Sequence, residues 1–294
     1  NPVLSKSTGP SVRRRPGFLG ASVKRKSKFE GNMLEARQMR TTILFGLPAL
    51  VFMAIIFLFP IVGVFKQSLH TIDGLFTWEA YLELWGSSLF SKVLWNTFEI
   101  SFMATVLTLL LAYPIAYYLA KQEPRPRAFL MVLVLLPFWT SILVKSFAFT
   151  VVLGENGTIN SIITLLPGID SGPKLLFNRM GVMIGLTHFF IPFMVFPILT
   201  SLLAQNPDLA KAAQLMGSGP IRIFTRITLP LSMPGVMAGS LLVFIISLGF
   251  FITPALLGGR KDLMMANLVD FYTRETLNWT LASSISVILL ILSL

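Results

Sequence analysis

Long apolar runs separated by short polar segments dominate the chain from residue 42 onward. A membrane-spanning helix needs roughly 20 consecutive apolar residues, and several of these runs reach that length. The last run begins near Trp279 and is expected to continue beyond Leu294. The pattern predicts an all-α polytopic membrane protein with six transmembrane helices. The predicted spans are Thr42–Phe65, Leu94–Ala120, Ala128–Val152, Gly181–Ala204, Met233–Leu257 and the run from Trp279.

The composition favours the same class of protein. The chain is 54% hydrophobic and 13% charged, whereas a soluble domain has about 25% charged residues. No polar segment is long enough to bury its own core, so no separate soluble domain is expected. The absence of cysteine excludes disulfides and thiolate metal sites. The two histidines, His70 and His188, lack metal-ligand spacing, so no metal or other cofactor is predicted in this chain.

Basic residues are concentrated before the first span and in alternate loops. The positive-inside rule therefore places the N-terminus and the loops at 121–127 and 205–231 in the cytoplasm. We interpret residues 1–41 as a basic cytoplasmic tail rather than a nucleic-acid-binding arm. No apolar stretch precedes residue 41, so a cleaved signal peptide is not expected. The basic residues of the tail are Lys6, Arg13, Arg14, Arg15, Lys24, Arg25, Lys26, Lys28, Arg37 and Arg40.

The loop at 205–231 carries the helix signals of a compact helix-turn-helix. Asn206 is a good N-cap and Pro207 suits the first helical position. Gly217 can adopt the left-handed conformation that ends a helix. Ser218 is then predicted to cap a second short helix, Ile221–Ile227. This arrangement predicts a polar knob on the cytoplasmic side, which we call the knob throughout.

The first helix of the knob is predicted to expose an apolar stripe that needs a partner. Small side chains at Ala212 and Ala213 would allow another protein surface to approach the backbone closely. Pro230 is expected to mark the return of the chain toward the membrane. An amphipathic loop lying on the lipid surface is the alternative interpretation of the pattern alone. The predicted stripe consists of Leu209, Ala212, Ala213 and Met216.

The stretch Lys211–Pro230 resembles the cytoplasmic coupling loop of binding-protein-dependent ABC importer permeases. That family's pattern is Glu-Ala-Ala, three residues, Gly, nine residues and Ile-x-Leu-Pro, and Lys211 stands here at the family's Glu. The resemblance implies an ABC importer type I permease fold, whose coupling helix docks in a groove of a cytoplasmic ATPase. The residues that it implies in coupling are Leu209, Lys211, Ala212, Ala213, Met216, Gly217, Arg222, Ile227, Leu229 and Pro230.

Further segments are similar to the spermidine/putrescine-type branch of that family. They are Asn96-Thr97, AYPIAYYLA at 112–120, LPFWTS at 136–141, GENGTIN at 154–160 and SLGFFITPALLGG at 247–259. The resemblance, which spans about residues 42–294, implies half of a translocation path for a polyamine or related amine in a bacterial inner membrane. It also implies three partners, namely a cytoplasmic ATPase dimer that binds ATP and Mg, a second and different permease subunit, and a periplasmic solute-binding protein. No nucleic-acid partner is expected.

Ionisable residues inside a membrane are costly and are candidates for a substrate path. Residue counting places Glu99, Lys145 and His188 in the outer third of the bilayer. Glu99 either guides a cationic solute or pairs with Lys145, Lys145 is expected to snorkel outward, and His188 to pack through a hydrogen bond. Prolines 114, 137, 192, 197 and 254 are predicted to break helices. The candidate path residues are Asn96, Glu99, Trp139, Lys145, His188, Phe250 and Thr253.

Two other classes of protein fit the composition less well. A secondary active transporter for a small amine or amino acid would predict internal repeats and several carboxylates inside the spans. Only Glu99 lies well inside a predicted span, and no repeat is evident. A membrane-embedded enzyme would need an acid–His or metal constellation, and none is evident. The chain also lacks a Gly-x-x-x-x-Gly-Lys-Ser/Thr phosphate loop, so ATP hydrolysis is expected in a separate subunit.

Overall fold

The computed structural model describes residues 46–70, 74–165 and 172–294, and the predicted basic tail lies outside these ranges. The described chain is helical apart from connecting segments and a bridge between His70 and Phe76. It divides into two compact units at Gly63–Val64, and the core described below belongs to the second. The helices are α1 Gly46–Ser68, α2 Glu79–Gly86, α3 Ser88–Ala120, α4 Pro124–Trp139, α5 Ile142–Leu153, α6 Thr158–Ile163, α7 Arg179–Leu203, α8 Pro207–Leu215, α9 Pro220–Ile223, α10 Leu229–Leu248, α11 Ile252–Leu257, α12 Met265–Arg274 and α13 Trp279–Ser293.

Five described segments are long and apolar enough to cross a membrane. The helix α13 is a shorter apolar helix that begins at Trp279, where the sixth span was predicted to begin. The predicted second and fourth spans are confirmed, although α3 and α7 begin earlier than predicted. The segments are Gly46–Ser68, Ser88–Ala120, Ile142–Ile163, Arg179–Leu203 and Pro220–Leu248.

The predicted third span, Ala128–Val152, is divided into two helices close to Pro137, where a break was predicted. The helix α4 ends at Trp139, Thr140 is extended with ψ 142°, and α5 begins at Ile142. Pro137 weakens the last turn of α4 because its nitrogen carries no hydrogen to donate. The Thr140 hydroxyl and the Lys145 ammonium both donate to the Pro137 carbonyl, at 2.9 and 2.6 Å. Side chains therefore satisfy the backbone at the break, as a membrane interior requires.

The predicted fifth span, Met233–Leu257, is also divided. The helix α10 ends at Leu248, and α11 is a separate short helix. At its other end α10 is continuous with α9 through a π-helical segment, Phe224–Thr228. Pro230 lies in the first turn of α10, at the start of the long apolar helix that was expected to follow it.

Proline does not break the two central helices. Pro114 lies inside continuous α3, and both Pro192 and Pro197 lie inside continuous α7. The predicted breaks at these residues are therefore wrong. Neighbouring helices enclose α7, and such contacts let membrane helices tolerate the loss of a backbone donor.

The core is built around α7, which packs against both α3 and α10. Gly235 of α10 allows the closest approach, because a Cβ there would overlap the Pro197 carbonyl and the Ser201 side chain. A second apolar cluster joins α2, α12 and α13. The long helix α3 contributes to both clusters, since Phe90 and Val93 near its start belong to the second cluster and Ala116 near its end belongs to the first. Buried side chains around α7 include Ile100, Leu186, Phe190, Met194, Ile198 and Val243.

Candidate coupling knob and polar clusters

The first helix of the knob begins and ends as the sequence predicts. The Asn206 side chain accepts a hydrogen bond from the Asp208 backbone N–H at 2.9 Å, and Pro207 occupies the first turn. Gly217 has φ +79°. Its N–H donates to the Gln214 carbonyl, and the Ser218 N–H donates to the Ala213 carbonyl, both at 2.9 Å. This pair of bonds is a Schellman motif, which ends α8.

The second half of the knob differs from the prediction. Ser218 is not its N-cap, because Gly219 takes that position without a capping side-chain bond. Pro220 opens α9, where its fixed φ suits the first turn and its missing donor is not needed. The predicted helix Ile221–Ile227 is wrong, because α9 ends at Ile223 and the π-helical segment follows.

The exposed apolar face of the knob is only partly the predicted stripe. Ala213 is 6% exposed and lies inside the knob, as does Ile223, so its predicted place on the exposed stripe is wrong. The most exposed apolar side chains are Leu215 at 91%, Met216 at 80% and Ile221 at 79%. Leu215 and Ile221 were missed because the helical period from Leu209 does not pass through them. The knob therefore offers an apolar tip at the turn between its two helices, beside exposed Leu209 and Ala212.

The knob also carries a basic surface. Lys211 pairs with Asp208 on the same helix at 3.3 Å, and both side chains are well exposed. Such a surface pair stabilises a helix by only a few tenths of a kcal/mol, so a stronger acidic partner can take Lys211 from it. Arg222 and Arg226 form no ion pair within the described residues. A docking surface of acidic character would complement this face.

A polar cluster joins the N-terminal halves of α3 and α7 to the segment after α11. Arg179 donates to Glu99 at 2.5 Å, to Asn96 at 3.3 Å and to Asp262 at 3.4 Å. The Asn96 amide in turn donates to the Lys261 carbonyl at 2.7 Å. We call Asn96, Glu99, Arg179 and Asp262 the outer cluster. The guanidinium suits this role because its five fixed donors can reach several acceptors at once.

The alternative in which Glu99 pairs with Lys145 is wrong, because Glu99 pairs with Arg179. Arg179 was missed because the fourth span was predicted to begin at Gly181, which left Arg179 in a loop. The Asn178 side chain caps the helix by accepting from the Gly181 N–H at 3.1 Å, so α7 begins at Arg179. The Glu99 and Arg179 side chains remain 37% and 31% exposed. Part of the surface of both side chains therefore remains accessible, whereas the Asp262 side chain is only 9% exposed.

Lys145 occupies a different environment. Its ammonium bonds to the Pro137 carbonyl eight residues earlier and lies 4.8 Å from the centre of the Phe189 ring. Lys145 does not extend freely from the helix as the predicted snorkelling requires, because its ammonium is bound to a backbone carbonyl earlier in the chain. Phe189 also contacts Phe250, with 4.8 Å between ring centres. Two candidate path residues, Lys145 and Phe250, thus meet through Phe189.

The remaining candidates do not join these clusters directly. His188 packs edge-on against Phe149 at 5.3 Å, an aromatic contact in place of the predicted hydrogen bond. Trp139 ends α4 and is strongly exposed. Thr253 is buried against Gly185, where a Cβ would overlap its methyl group. Thr253 therefore sets the close approach of α11 to α7 and has no exposed surface to offer a solute.

Comparisons with known proteins agree with this architecture. Residues 110–294 match the family described as binding-protein-dependent transport system inner membrane component. The spermidine/putrescine transport system permease protein PotB of Haemophilus influenzae is 35% identical over 253 residues, which cover 83% of this chain and 88% of the relative. PotB of Escherichia coli is 32% identical over 220 residues, which cover 75% of this chain and 80% of the relative.

Among solved structures, a chain of the bacterial alginate ABC transporter, in complex with an alginate pentasaccharide-bound periplasmic protein, superposes with a TM-score of 0.68. It shares 18% sequence identity, and the match covers 89% of this chain and 92% of that chain. At this identity the likeness shows the fold alone. The family match and the two relatives carry the assignment further. This chain belongs to the family of inner membrane components of binding-protein-dependent transport systems.

Proposed function

We propose that this ABC importer permease subunit forms half of the translocation path for a small cationic solute of the polyamine type. The outer cluster carries the proposal. Two carboxylates, Glu99 and Asp262, surround one guanidinium, and the Glu99 side chain is about one third exposed. The direct contacts of the cluster therefore hold one more negative than positive group. The two relatives named as spermidine/putrescine permeases support the same class of solute.

An alkylammonium group can enter this arrangement by exchange. When it approaches Glu99, Arg179 retains two acceptors, Asp262 and Asn96, so the guanidinium stays bound while Glu99 receives the solute. Further along α7 from Arg179, the ring of Phe189 and the neighbouring ring of Phe250 offer cation–π contacts. Lys145 already lies over Phe189. The Lys145 ammonium would repel a solute cation at Phe189 until Lys145 moves away. Passage of the solute would therefore depend on a conformational change of the permease.

In this proposal the knob connects the permease subunit to the hydrolysis of ATP. Its apolar tip at Leu215, Met216 and Ile221 docks on a cytoplasmic ATPase dimer, and ATP and Mg bind to that dimer. This subunit supplies no catalytic site of its own. A periplasmic solute-binding protein delivers the solute, and a second permease subunit completes the path. The N-terminus and the knob lie on the cytoplasmic side, as the distribution of basic residues indicates.

Uptake by the reconstituted complex tests the solute class. The complex in proteoliposomes is expected to accumulate labelled spermidine with ATP inside and binding protein outside. Glu99→Gln should raise the half-saturating concentration about tenfold, the loss of one charge-assisted contact. The matched control is Glu155→Gln, which neutralises an exposed acid outside the outer cluster. Uptake of a neutral or anionic solute in place of spermidine would overturn the proposal.

A further inference from the structure

An aromatic cluster connects the knob to the inner end of α3. Phe224, the first residue of the π-helical segment, lies edge-on to Tyr113 at 5.8 Å and to Tyr117 at 5.4 Å. The two tyrosines are four residues apart and so share one face of α3. Phe224 is the only described ring in contact with both of them. We call these three side chains the aromatic latch.

Polar contacts fix the latch on both sides. Tyr113 shares a hydrogen bond of 2.9 Å with Ser232, which is fully buried in α10. The Lys121 ammonium lies 4.1 Å from the centre of the Tyr117 ring. On the opposite side, the Gln205 amide donates to the Thr228 carbonyl at 3.1 Å. The π-helical segment is therefore tied to α3 by the latch and to the end of α7 by Gln205.

The backbone around Phe224 is suited to transmitting movement. The Leu229 N–H donates to the Phe224 carbonyl five residues earlier, which is the wide turn of a π-helix. Pro230 cannot supply the next donor, which favours this local departure from the α-helix. Nevertheless the helix is continuous from Pro220 to Leu248. A displacement of α9 therefore reaches Phe224 through regular backbone, without an intervening flexible loop.

We propose that Phe224 is a positioning residue that transfers movement of the knob to α3 through Tyr113 and Tyr117. The inference rests on the proposed docking of the knob on an ATPase. Because α3 is continuous from Ser88 to Ala120, movement of its inner end reaches Glu99. Tyr113 and Glu99 are 14 residues apart, about 21 Å along the helix. The latch thus places the outer cluster under the control of the knob.

The ratio of solute transported to ATP hydrolysed tests this inference in the complete complex. Phe224→Ala should lower the ratio about tenfold, within the range for coupling carried by packed side chains. Phe224→Tyr keeps the aromatic ring and should retain most of the transport-to-hydrolysis ratio of the wild type. The matched control is Phe244→Ala, because Phe244 also joins α10 to α3, by a contact with Phe98 at 6.3 Å away from the knob. An equal fall in the ratio for Phe224→Ala and Phe244→Ala, or no fall for Phe224→Ala, would overturn the inference.

A cross-linking experiment covers the case in which Phe224→Ala does not assemble. The chain has no cysteine, so the pair Tyr117→Cys and Phe224→Cys can be joined by a short bifunctional thiol reagent. If the latch moves as one unit, the joined protein should regain the transport that the uncoupled double variant lacks. Continued loss of transport after complete joining would contradict the inference.

A further variant separates the latch from the docking of the knob. Leu215→Asp alters only the exposed tip and should prevent docking. Unchanged transport in Leu215→Asp would refute the docking itself. Loss of transport in Leu215→Asp with a normal ratio in Phe224→Ala would refute the latch alone.

Discussion

Gly217 shows how a single backbone angle decides the shape of the knob. Its φ of +79° lies in the left-handed region, yet a Cβ there would meet nothing within 4 Å. The requirement for glycine is therefore one of conformation and not of space. Gly217→Val should destabilise the turn by about 1 kcal/mol or more and lower uptake per ATP hydrolysed. Gly217→Asn is the matched control, because asparagine tolerates this region. Wild-type coupling in the valine variant would show that the turn is not needed.

The pair Glu99–Arg179 allows a stability role to be separated from a transport role. Both side chains are about one third exposed, so solvent screens the pair and its loss should cost only about 1 kcal/mol. A double-mutant cycle with Glu99→Gln and Arg179→Gln, read by spermidine uptake and by thermal unfolding, measures the coupling in each. We expect coupling in both. Coupling in unfolding alone would assign the pair to structure and remove Glu99 from the path.

At the break between α4 and α5, the Lys145 ammonium binds the Pro137 carbonyl that the break leaves free. Lys145→Met should leave the Pro137 carbonyl with Thr140 as its donor, at a cost of about 1 kcal/mol. It should also free the face of Phe189 and so lower the half-saturating concentration of spermidine several-fold, about the effect of one exposed cation–π contact. Lys145→Arg keeps the charge and is the control. If both variants match the wild type in uptake, Phe189 does not lie on the path.

Most helices could be predicted from the sequence, because a span is encoded by about 20 apolar residues in succession. The exact positions of the breaks at Thr140 and after Leu248 could not be predicted. Prolines 137 and 254 indicated breaks nearby, but prolines 114, 192 and 197 lie inside continuous helices, so proline alone does not locate a break. The burial of Ala213 was missed for a related reason. The burial of Ala213 depends on how α9 folds back on α8. The π-helical segment sets the position of α9, and no residue in the sequence marks that segment as clearly as Gly217 marks the turn.

The charged partners were the part least accessible to sequence reasoning. Glu99 was recognised as a candidate because an acid inside an apolar run is unusual. Its partner Arg179 is 80 residues away, and Asp262 lies a further 83 residues along the chain. Pairing over such separations is set by how α7 packs against α3 and α11, which no local pattern encodes.

At the scale of the whole molecule, the described residues present an exposed apolar tip on a basic knob, and this predicts assembly. The chain should co-purify with a cytoplasmic ATPase dimer and a second permease subunit. Ala212 is exposed beside the tip, so Ala212→Trp should block close approach of the ATPase while the permease pair still forms. Ala212→Ser preserves the size of the side chain and should retain the ATPase. Association is read by the ATPase recovered per permease after affinity purification from detergent-solubilised membranes. Equal recovery with serine and tryptophan at position 212 would place the docking surface elsewhere.

The basic charges of Arg222 and Arg226 add a second expectation for the same measurement. Recovery should fall as salt rises, because exposed charges separated by water are screened within about 10 Å at 0.1 M, whereas an interface held by the apolar tip alone would be insensitive to salt.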